Sequence, residues 1–272
     1  MTLKSFMTAA LLLALSPLAA VADDWQVHDG WVSLFDTHEA EGTLLVVDKR
    51  GETVQTWVHD AERARTAFVP ASTFKVPHTL FALDAGVAED EFQRFAWDGV
   101  ERGVPAWDAD QDLRAAMRRS TVWLYQHFAR EIGEVDERRY LELIGYGNAD
   151  VGDSLEDFWL EPGHLAISAE GQIDFLDRLY RHVLPFEEAD QRLVKDLMIT
   201  EAGPDWILRG KTGWSGELGW WVGWVEWPSG PVFFALNIDT PNRMADIPKR
   251  DAIVRDALRG LEALPPASRG TS

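Results

Sequence analysis

The chain contains no cysteine among its 272 residues. This absence excludes disulfide scaffolds, zinc sites built on thiolates and thiol nucleophiles. Histidine is also scarce, and none of the seven histidines takes part in a His-Glu-x-x-His pair of the kind that binds zinc. The sequence therefore predicts neither a metal centre nor a catalytic thiol.

Positive charge is in short supply. Lysine and arginine together number 26 against 45 acidic residues, which gives a formal net charge of −19. Such a surface repels nucleic acid and anionic lipid, so neither is expected as a partner. Simple solubility is the preferred explanation of the acidic balance, and the sequence leaves open whether it also reflects a saline habitat.

Only one long apolar run occurs, and it lies at the start of the chain. Residues 1–22 combine Lys4, an apolar stretch at 6–15 and the small residues Ala20-Val21-Ala22. This pattern predicts a secretory signal peptide that is cleaved, leaving residues 23–272 as a single catalytic domain. No later run approaches the roughly 20 apolar residues that span a bilayer. We therefore expect an exported, periplasmic protein that is not held in a membrane after cleavage.

The segment Ser72-Thr73-Phe74-Lys75 places a hydroxyl and an amine three residues apart. On a helix these two side chains share one face, so a lysine that loses its charge could activate the serine as a nucleophile. Ser-x-x-Lys alone arises by chance, and its ordinary meaning is a solvated helix. Here apolar residues at 68–71 and 76–77 flank the motif, which predicts a buried lysine and the chemistry of an acyl-serine enzyme.

Three more short motifs follow in order: Ser120-Thr121-Val122, Tyr146-Gly147-Asn148 and Lys211-Thr212-Gly213. Each is weak alone, but the ordered set resembles the class D (oxacillinase-type) serine β-lactamases, over residues 25–266. Phe158-Trp159-Leu160 and Pro248-Lys249-Arg250 also match the family pattern. The Ser-Asp-Asn motif of the related class A enzymes is absent, and Ser120-Thr121-Val122 stands in its place.

The resemblance implies a set of roles around the nucleophile. Ser72 would be acylated, and Lys75 would act as a general base in the form of N6-carboxylysine. Trp159 would donate its indole N–H to this carbamate, and Val122 and Leu160 would form an apolar cover that regulates water entry. No cofactor is implied beyond the carbon dioxide or bicarbonate that carboxylates Lys75.

The resemblance also assigns residues to the substrate, which would be a β-lactam antibiotic. Ser120 would relay a proton to the leaving nitrogen, and the N–H of Trp214 would complete an oxyanion hole with that of Ser72. Arg250 would bind the substrate carboxylate beside the Lys-Thr-Gly motif, Lys211, Thr212 and Gly213. Tyr146 and Asn148 are expected to shape the wall of the site rather than to react.

The pattern along the chain predicts an α+β fold of the serine β-lactamase and penicillin-binding-protein transpeptidase type. Strands at both ends would form one antiparallel sheet with flanking helices, beside an inserted helical lobe. The predicted elements are strands at 43–47, 53–58, 206–208, 219–227 and 232–238, a mostly helical region at 74–197 and a closing helix at 246–264.

Two other functions share this chemistry. A cell-wall transpeptidase or carboxypeptidase would be acylated by penicillin but deacylate slowly, and a β-lactam sensor would bind without turnover. The apolar cover over Lys75 and the donor Trp159 favour hydrolysis. The sequence leaves open which β-lactams are preferred, carbapenems included, and whether the protein is a monomer or a homodimer.

Overall fold

The computed structural model describes residues 25–266, so the predicted signal peptide at 1–22 lies outside the described residues. Within that part of the chain, seven strands form one sheet in the order β1-β3-β2-β7-β6-β5-β4. The strands are β1 Gln26–Val27, β2 Gly42–Asp48, β3 Gln55–His59, β4 Ile199–Ala202, β5 Ile207–Trp214, β6 Leu218–Trp227 and β7 Gly230–Asp239.

Within residues 25–266, most of the helices lie between the first three strands and the last four, whereas one lies between β1 and β2 and one follows β7. The helices are α1 Asp29–Thr37, α2 Ala61–Arg65, α3 Lys75–Asp84, α4 Leu113–Arg119, α5 Val122–Ile132, α6 Glu134–Ile144, α7 Ala169–Tyr180, α8 Glu188–Leu197 and α9 Ile247–Gly260, with 3₁₀ turns at Ala71–Phe74 and Arg243–Ala245. Strands β1 to β3 precede most helices and β4 to β7 follow them. The predicted α+β architecture, with a sheet built from both ends of the chain, is therefore confirmed.

The sheet joins its two halves where β2 pairs antiparallel with β7, from Gly42 opposite Ile238 to Asp48 opposite Val232. The predicted hairpin of β2 and β3 is present. One outer pair departs from the antiparallel prediction, because the two-residue β1 runs parallel to β3. Strand β1 lies at the edge and has no turn linking it to β3, since α1 and β2 intervene.

Alternating side chains of the sheet face two different cores. In β6, Trp220 and Trp224 point toward the helical lobe, whereas Trp221 and Val225 point toward α1 and α9. Both layers are buried. Since each face is covered by helices, β6 is apolar on both sides, which explains why its tryptophans do not follow simple alternation with polar residues.

The sequence prediction was wrong about the length of β5. Its predicted strand ended at Leu208, but β5 continues through Lys211-Thr212-Gly213 to Trp214. Arg209, Gly210 and Lys211 break the apolar pattern, yet each of them is buried against neighbouring elements. The consequence is that the Lys-Thr-Gly motif lies on a regular strand and not in a turn.

No helix within residues 25–266 combines the length and the hydropathy that a membrane crossing requires.

Candidate active site

Ser72 lies in the 3₁₀ turn Ala71–Phe74, which leads directly into α3. The serine therefore stands at the entry to a helix. Ala71, just before it, has φ of +48°, an uncommon conformation for a residue with a Cβ. Thr73 Oγ1 donates to the carbonyl of Pro70 at 2.7 Å and accepts from Gln172 Nε2 at 2.8 Å. These buried bonds hold the strained turn in place.

Lys75 lies one turn after Ser72 and is fully buried. Its Nζ donates to Ser72 Oγ at 2.9 Å. Burial lowers the pKa of Lys75 well below its ordinary value, and the neighbouring charge of Lys211 lowers that pKa further. No carboxylate within residues 25–266 forms an ion pair with Lys75. The amine is therefore held in a setting that favours its neutral form.

Tyr125 and Thr79 close the pocket on one side of Lys75. The Lys75 Nζ lies 5.2 Å from the centroid of the Tyr125 ring. Thr79 Oγ1 donates to the carbonyl of Lys75 at 2.7 Å and lies 2.9 Å from Tyr125 Oη. Sequence reasoning missed both residues. The available signal was their spacing, since Thr79 follows Lys75 by four residues and Tyr125 follows Val122 by three.

Trp159 packs with Phe74 and His78, and these three rings form an aromatic wall beside the 3₁₀ turn and α3. The indole is fully buried, and its ring centroid lies 5.7 Å from that of Phe74 and 5.4 Å from that of His78. Its Nε1 has no hydrogen-bond partner in the described part of the chain. An unpaired buried N–H is costly, so this atom has unused capacity to donate to an acceptor.

Val122 and Leu160, the predicted apolar cover, are both half-buried. Val122 is the first residue of α5, immediately after Ser120 and Thr121. Leu160 follows Trp159 in a short turn, where its N–H donates to the carbonyl of Asp157 at 2.7 Å. Their role as an apolar cover over Lys75 stays a prediction.

Ser120 and Lys211 meet from different elements. Ser120 caps the end of α4 with φ of +56°, and its Oγ accepts from Lys211 Nζ at 2.9 Å. The same Nζ donates to the carbonyl of Thr212 at 2.9 Å. Burial lowers the pKa of Lys211 to about 7, with a further contribution from the charge of Arg250. Lys211 can therefore change its protonation state near neutral pH.

The outer edge of β5 is left open beside Ser72. Strand β4 pairs with β5 between Ile207 and Arg209, and the N–H of Gly210 donates to the carbonyl of Met198 at 2.9 Å. Since backbone groups alternate in direction along a strand, the N–H of Trp214, four residues on, points from the same edge. It lies beyond the last residue of β5 that β4 covers.

Gly213 brings the 3₁₀ turn and β5 into close contact. A Cβ at this position would lie 2.8 Å from the carbonyl oxygen of Pro70 and 3.2 Å from the N atom of Ser72. A side chain here would push the nucleophile away from the strand. The motif therefore ends in glycine because two backbones touch.

Arg250, on α9, reaches the opposite face of the same strand. Its Nη1 donates to the carbonyl of Gly213 at 2.5 Å and to that of Trp220 at 3.4 Å. Burial lowers the pKa of the guanidinium to about 10, so it remains charged at neutral pH. The side chain of the next residue, Trp214, makes a different contact: its Nε1 donates to Thr240 Oγ1 at 3.1 Å.

Tyr146 and Asn148 support the site, in agreement with the prediction of a shaping role. The buried Tyr146 Oη donates to Gln172 Oε1 at 3.5 Å, and Gln172 Nε2 in turn donates to Thr73 Oγ1.

Asn148 Nδ2 donates to the carbonyl of His164 at 2.8 Å, and its Oδ1 accepts from the N–H of Ala166 at 2.9 Å. These bonds anchor the segment that follows Leu160.

A cavity of about 670 Å³ lies next to the end of β5. Its lining includes Val69, Leu165, residues 161–163, residues 215–218 and Arg243. Within the described residues, no group of three or more histidine, aspartate or glutamate side chains could hold a metal ion.

Comparison with known proteins gives a consistent result. Residues 40–259 match the family described as penicillin binding protein transpeptidase domain. The chain is 56% identical over 266 residues to the β-lactamase OXA-2 of Salmonella typhimurium, covering 98% of this chain and 96% of that one. It is 61% identical over 236 residues to the β-lactamase OXA-3 of Pseudomonas aeruginosa, covering 87% and 86% of the two chains.

Solved structures agree with the sequence relatives. The structure of FUS-1 (OXA-85), a class D β-lactamase from Fusobacterium nucleatum subsp. polymorphum, superposes with a TM-score of 0.84 at 33% identity, covering 88% of this chain and all of that one. The class D β-lactamase YbXI from Nostoc superposes with a TM-score of 0.82 at 38% identity, covering 86% and 99%.

Proposed function

Because the chain belongs to the class D serine β-lactamases and is a β-lactam hydrolase, we propose that Lys75 carries out its part of the reaction as N6-carboxylysine. The proposal rests on the surroundings of Lys75. Lys75 is fully buried, with its Nζ 2.9 Å from Ser72 Oγ. The nearby Trp159 Nε1 is a buried donor with no partner among residues 25–266.

The residues of the pocket fit a carbamate. Carbon dioxide reacts with a neutral amine, and the burial that depresses the pKa of Lys75 supplies that form. The product is an anion, which needs donors when it is removed from water. Trp159 Nε1 and the Ser72 hydroxyl can provide them, and Lys211 supplies compensating positive charge. When present, the carbamate supplies a base within reach of Ser72 at neutral pH.

Ser72 Oγ is the proposed nucleophile. Its hydroxyl proton would pass to the base at Lys75, an ester bond forms with the carbonyl carbon of the β-lactam as the ring C–N bond breaks, and the ring nitrogen takes up a proton. The Lys211–Ser120 hydrogen bond gives a path for that proton, because the pKa of Lys211 is about 7. Water then cleaves the ester and releases the ring-opened acid with free Ser72.

Two backbone N–H groups are proposed to stabilise the oxyanion. They belong to Ser72, which Gly213 contacts closely, and to Trp214, which points from the open edge of β5. Such donors are aimed at charge that develops in the transition state and contribute several kcal/mol in other serine enzymes. Thr212, on this strand segment, and Arg250, which contacts its backbone, would bind the substrate carboxylate.

The proposal extends to the organisation of the protein. Residues 1–22 are proposed to be a signal peptide and residues 23–272 a single catalytic domain that works in the periplasm as a monomer or homodimer. β-Lactam antibiotics are the proposed partners, and besides water the reaction requires only the carbon dioxide or bicarbonate that carboxylates Lys75. This assignment makes the protein a determinant of antibiotic resistance.

Carbon-13 NMR with labelled bicarbonate tests the central point. We expect one carbamate resonance in the wild-type protein and none in Lys75→Ala. Turnover of penicillin should fall in buffer depleted of carbon dioxide and recover when bicarbonate is added. Full turnover without carbon dioxide, together with no carbamate resonance, would refute the proposal. A stable acyl-enzyme with negligible turnover would instead indicate a transpeptidase-like protein.

A further inference from the structure

A histidine and a glutamate form a hydrogen-bonded pair inside the helical lobe, and none of the roles above uses them. His78 Nε2 lies 2.6 Å from Glu137 Oε1, and both side chains are completely buried. Burial of ionisable groups costs free energy that a pair of apolar residues would avoid. This arrangement therefore needs an explanation beyond packing.

The position of the pair points to the Lys75 pocket. His78 lies on α3, three residues after Lys75, and Glu137 projects from α6. The imidazole stacks on Phe74 with centroids 5.0 Å apart, and it lies edge-on to Trp159 at 5.4 Å with an interplanar angle of 61°. It also contacts the Tyr125 ring at 5.7 Å. The histidine thus packs against Phe74, the residue before Lys75, against Tyr125, whose ring lies 5.2 Å from Lys75 Nζ, and against Trp159.

Glu137 controls the orientation of the imidazole. In the described part of the chain His78 makes one side-chain hydrogen bond, to Glu137, and its Nδ1 has no partner. Since the ring is otherwise held by aromatic packing alone, Glu137 is the polar contact that fixes its rotation. Without it, the buried Nε2 would lose its acceptor, and rotation of the ring would displace the indole that packs against it.

We infer that Glu137 and His78 are positioning residues for carboxylated Lys75: their hydrogen bond fixes the ring against which Trp159 packs, and so aims the unpaired Trp159 Nε1 at the carbamate. This inference rests on the proposed carboxylation of Lys75. It adds a second layer to the site, in which a buried carboxylate acts through two aromatic side chains.

The two helices also supply a matched control. Further along α3 and α6, Tyr140 Oη donates to Asp84 Oδ2 at 2.7 Å, and the Tyr140 and Phe81 rings stack at 4.9 Å. Tyr140→Phe removes that hydrogen bond and keeps the ring. It therefore loosens the same helix pair at its other end, away from Lys75, and separates helix docking from a specific effect on the pocket.

The test measures the bicarbonate concentration that gives half of the maximal carbamate resonance in carbon-13 NMR. Glu137→Leu removes the acceptor and should raise this concentration by about tenfold or more. The comparison is with metal sites, where removing a residue that hydrogen-bonds to a metal ligand weakens metal binding by about that factor. Glu137→Gln keeps an acceptor oxygen for His78 and should stay within about threefold of the wild type. Tyr140→Phe should also stay within that range. The free energy of unfolding is measured for every variant.

A second variant covers the case in which Glu137→Leu fails to fold. His78→Gln leaves an amide that can donate to Glu137 but removes the ring that supports Trp159, so the bicarbonate requirement should again rise. An unchanged requirement in whichever of these two variants folds would overturn the inference, and so would an equal rise in Tyr140→Phe. A wild-type protein with no carbamate resonance would refute the carboxylation itself, and with it this inference.

Discussion

Arg250 ties the C-terminal helix to the Lys-Thr-Gly strand, because its Nη1 donates to the carbonyl of Gly213 at 2.5 Å. Its Nε donates to the carbonyl of Ile247 at 3.3 Å. No hydrogen bond within residues 25–266 uses Nη2, so this arm of the guanidinium is free to bind a carboxylate. The backbone contacts fix the direction of that arm before substrate arrives.

Arg250→Ala should therefore raise KM for penicillin by about 10- to 100-fold, with a smaller effect on kcat, since a hydrogen bond to a charged group is lost in both the ground and transition states. Steady-state kinetics measures this. Arg255→Ala is the matched control, because it removes one positive charge from the same helix, where Arg255 pairs with Asp251. An equal rise in KM for both variants would contradict a specific contact.

Ser72→Ala should form no covalent adduct. Ser72 Oγ is the hydroxyl within 2.9 Å of Lys75 Nζ, so no equivalent nucleophile replaces it. Intact-mass measurement after brief mixing with a slowly hydrolysed β-lactam should show one adduct in the wild-type protein and none in the variant. An adduct that persists in Ser72→Ala would assign the nucleophile to another residue.

Ser120→Ala and Ser120→Gly should lose activity to the same extent but differ in stability. Both remove the hydroxyl that accepts from Lys211, whereas only glycine relieves the φ of +56°. The glycine variant should be more stable than the alanine variant by about 1 kcal/mol. Chemical denaturation and kinetics measure the two effects. Equal stability would show that this turn is unstrained, and retained activity would remove the hydroxyl from the mechanism.

Lys211→Met should flatten the pH dependence of stability. The folded-state pKa of Lys211, about 7, lies below the ordinary value of 10.5. The unfolded chain therefore binds more protons between these values, and the free energy of unfolding rises with pH across that window. From about pH 7 to about pH 9 the wild-type protein should gain on the order of 2 kcal/mol from this group.

The methionine variant lacks this contribution. Removal of the Lys211 charge also makes the pKa of Lys75 less depressed. Denaturation at several pH values should thus show a smaller slope in Lys211→Met than in the wild-type protein. An identical slope in the two proteins would mean that Lys211 titrates normally in the fold, and the proposed proton path would lose its basis.

Trp159→Phe keeps a large ring in the aromatic wall but removes the unpaired Nε1 donor. We expect kinetics that depend on bicarbonate, with a requirement about tenfold above that of the wild-type protein. Phe158→Leu, at the adjacent buried position, is the control for altered packing. A bicarbonate requirement that rises equally in the control would show that Nε1 has no specific role.

The sequence was sufficient for the linear motifs and for the sheet built from both termini. The four ordered motifs predicted that Ser72, Lys75, Ser120 and Lys211 would lie together, and their hydrogen bonds connect them in two pairs. The apolar runs of β6 and β7 and the turn between them were equally clear. These features depend on neighbouring residues in the sequence and not on which distant segments pack against them.

Other features depend on contacts between distant residues and left no local signal. Strand β4 is a four-residue, exposed edge strand whose sequence, Ile-Thr-Glu-Ala, continues the polar character of α8. The partner of His78 lies 59 residues away, on a helix whose sequence reads as solvent-exposed. Only the tertiary arrangement shows that Glu137 is buried, because it shares the face of α6 that packs into the core with Tyr140 and Leu141.

The pairing of β2 with β7 also sets the order in which the protein can fold. Residues 42–48 must wait for partners at 230–239, so closing the sheet brings together segments separated by nearly the whole domain. Such non-local pairing is slow, because the entropy of loop closure is lost before the contacts form. A growing chain with Ser72 already made cannot assemble the pocket until β5 to β7 are available. Full activity should therefore appear in one late step of refolding.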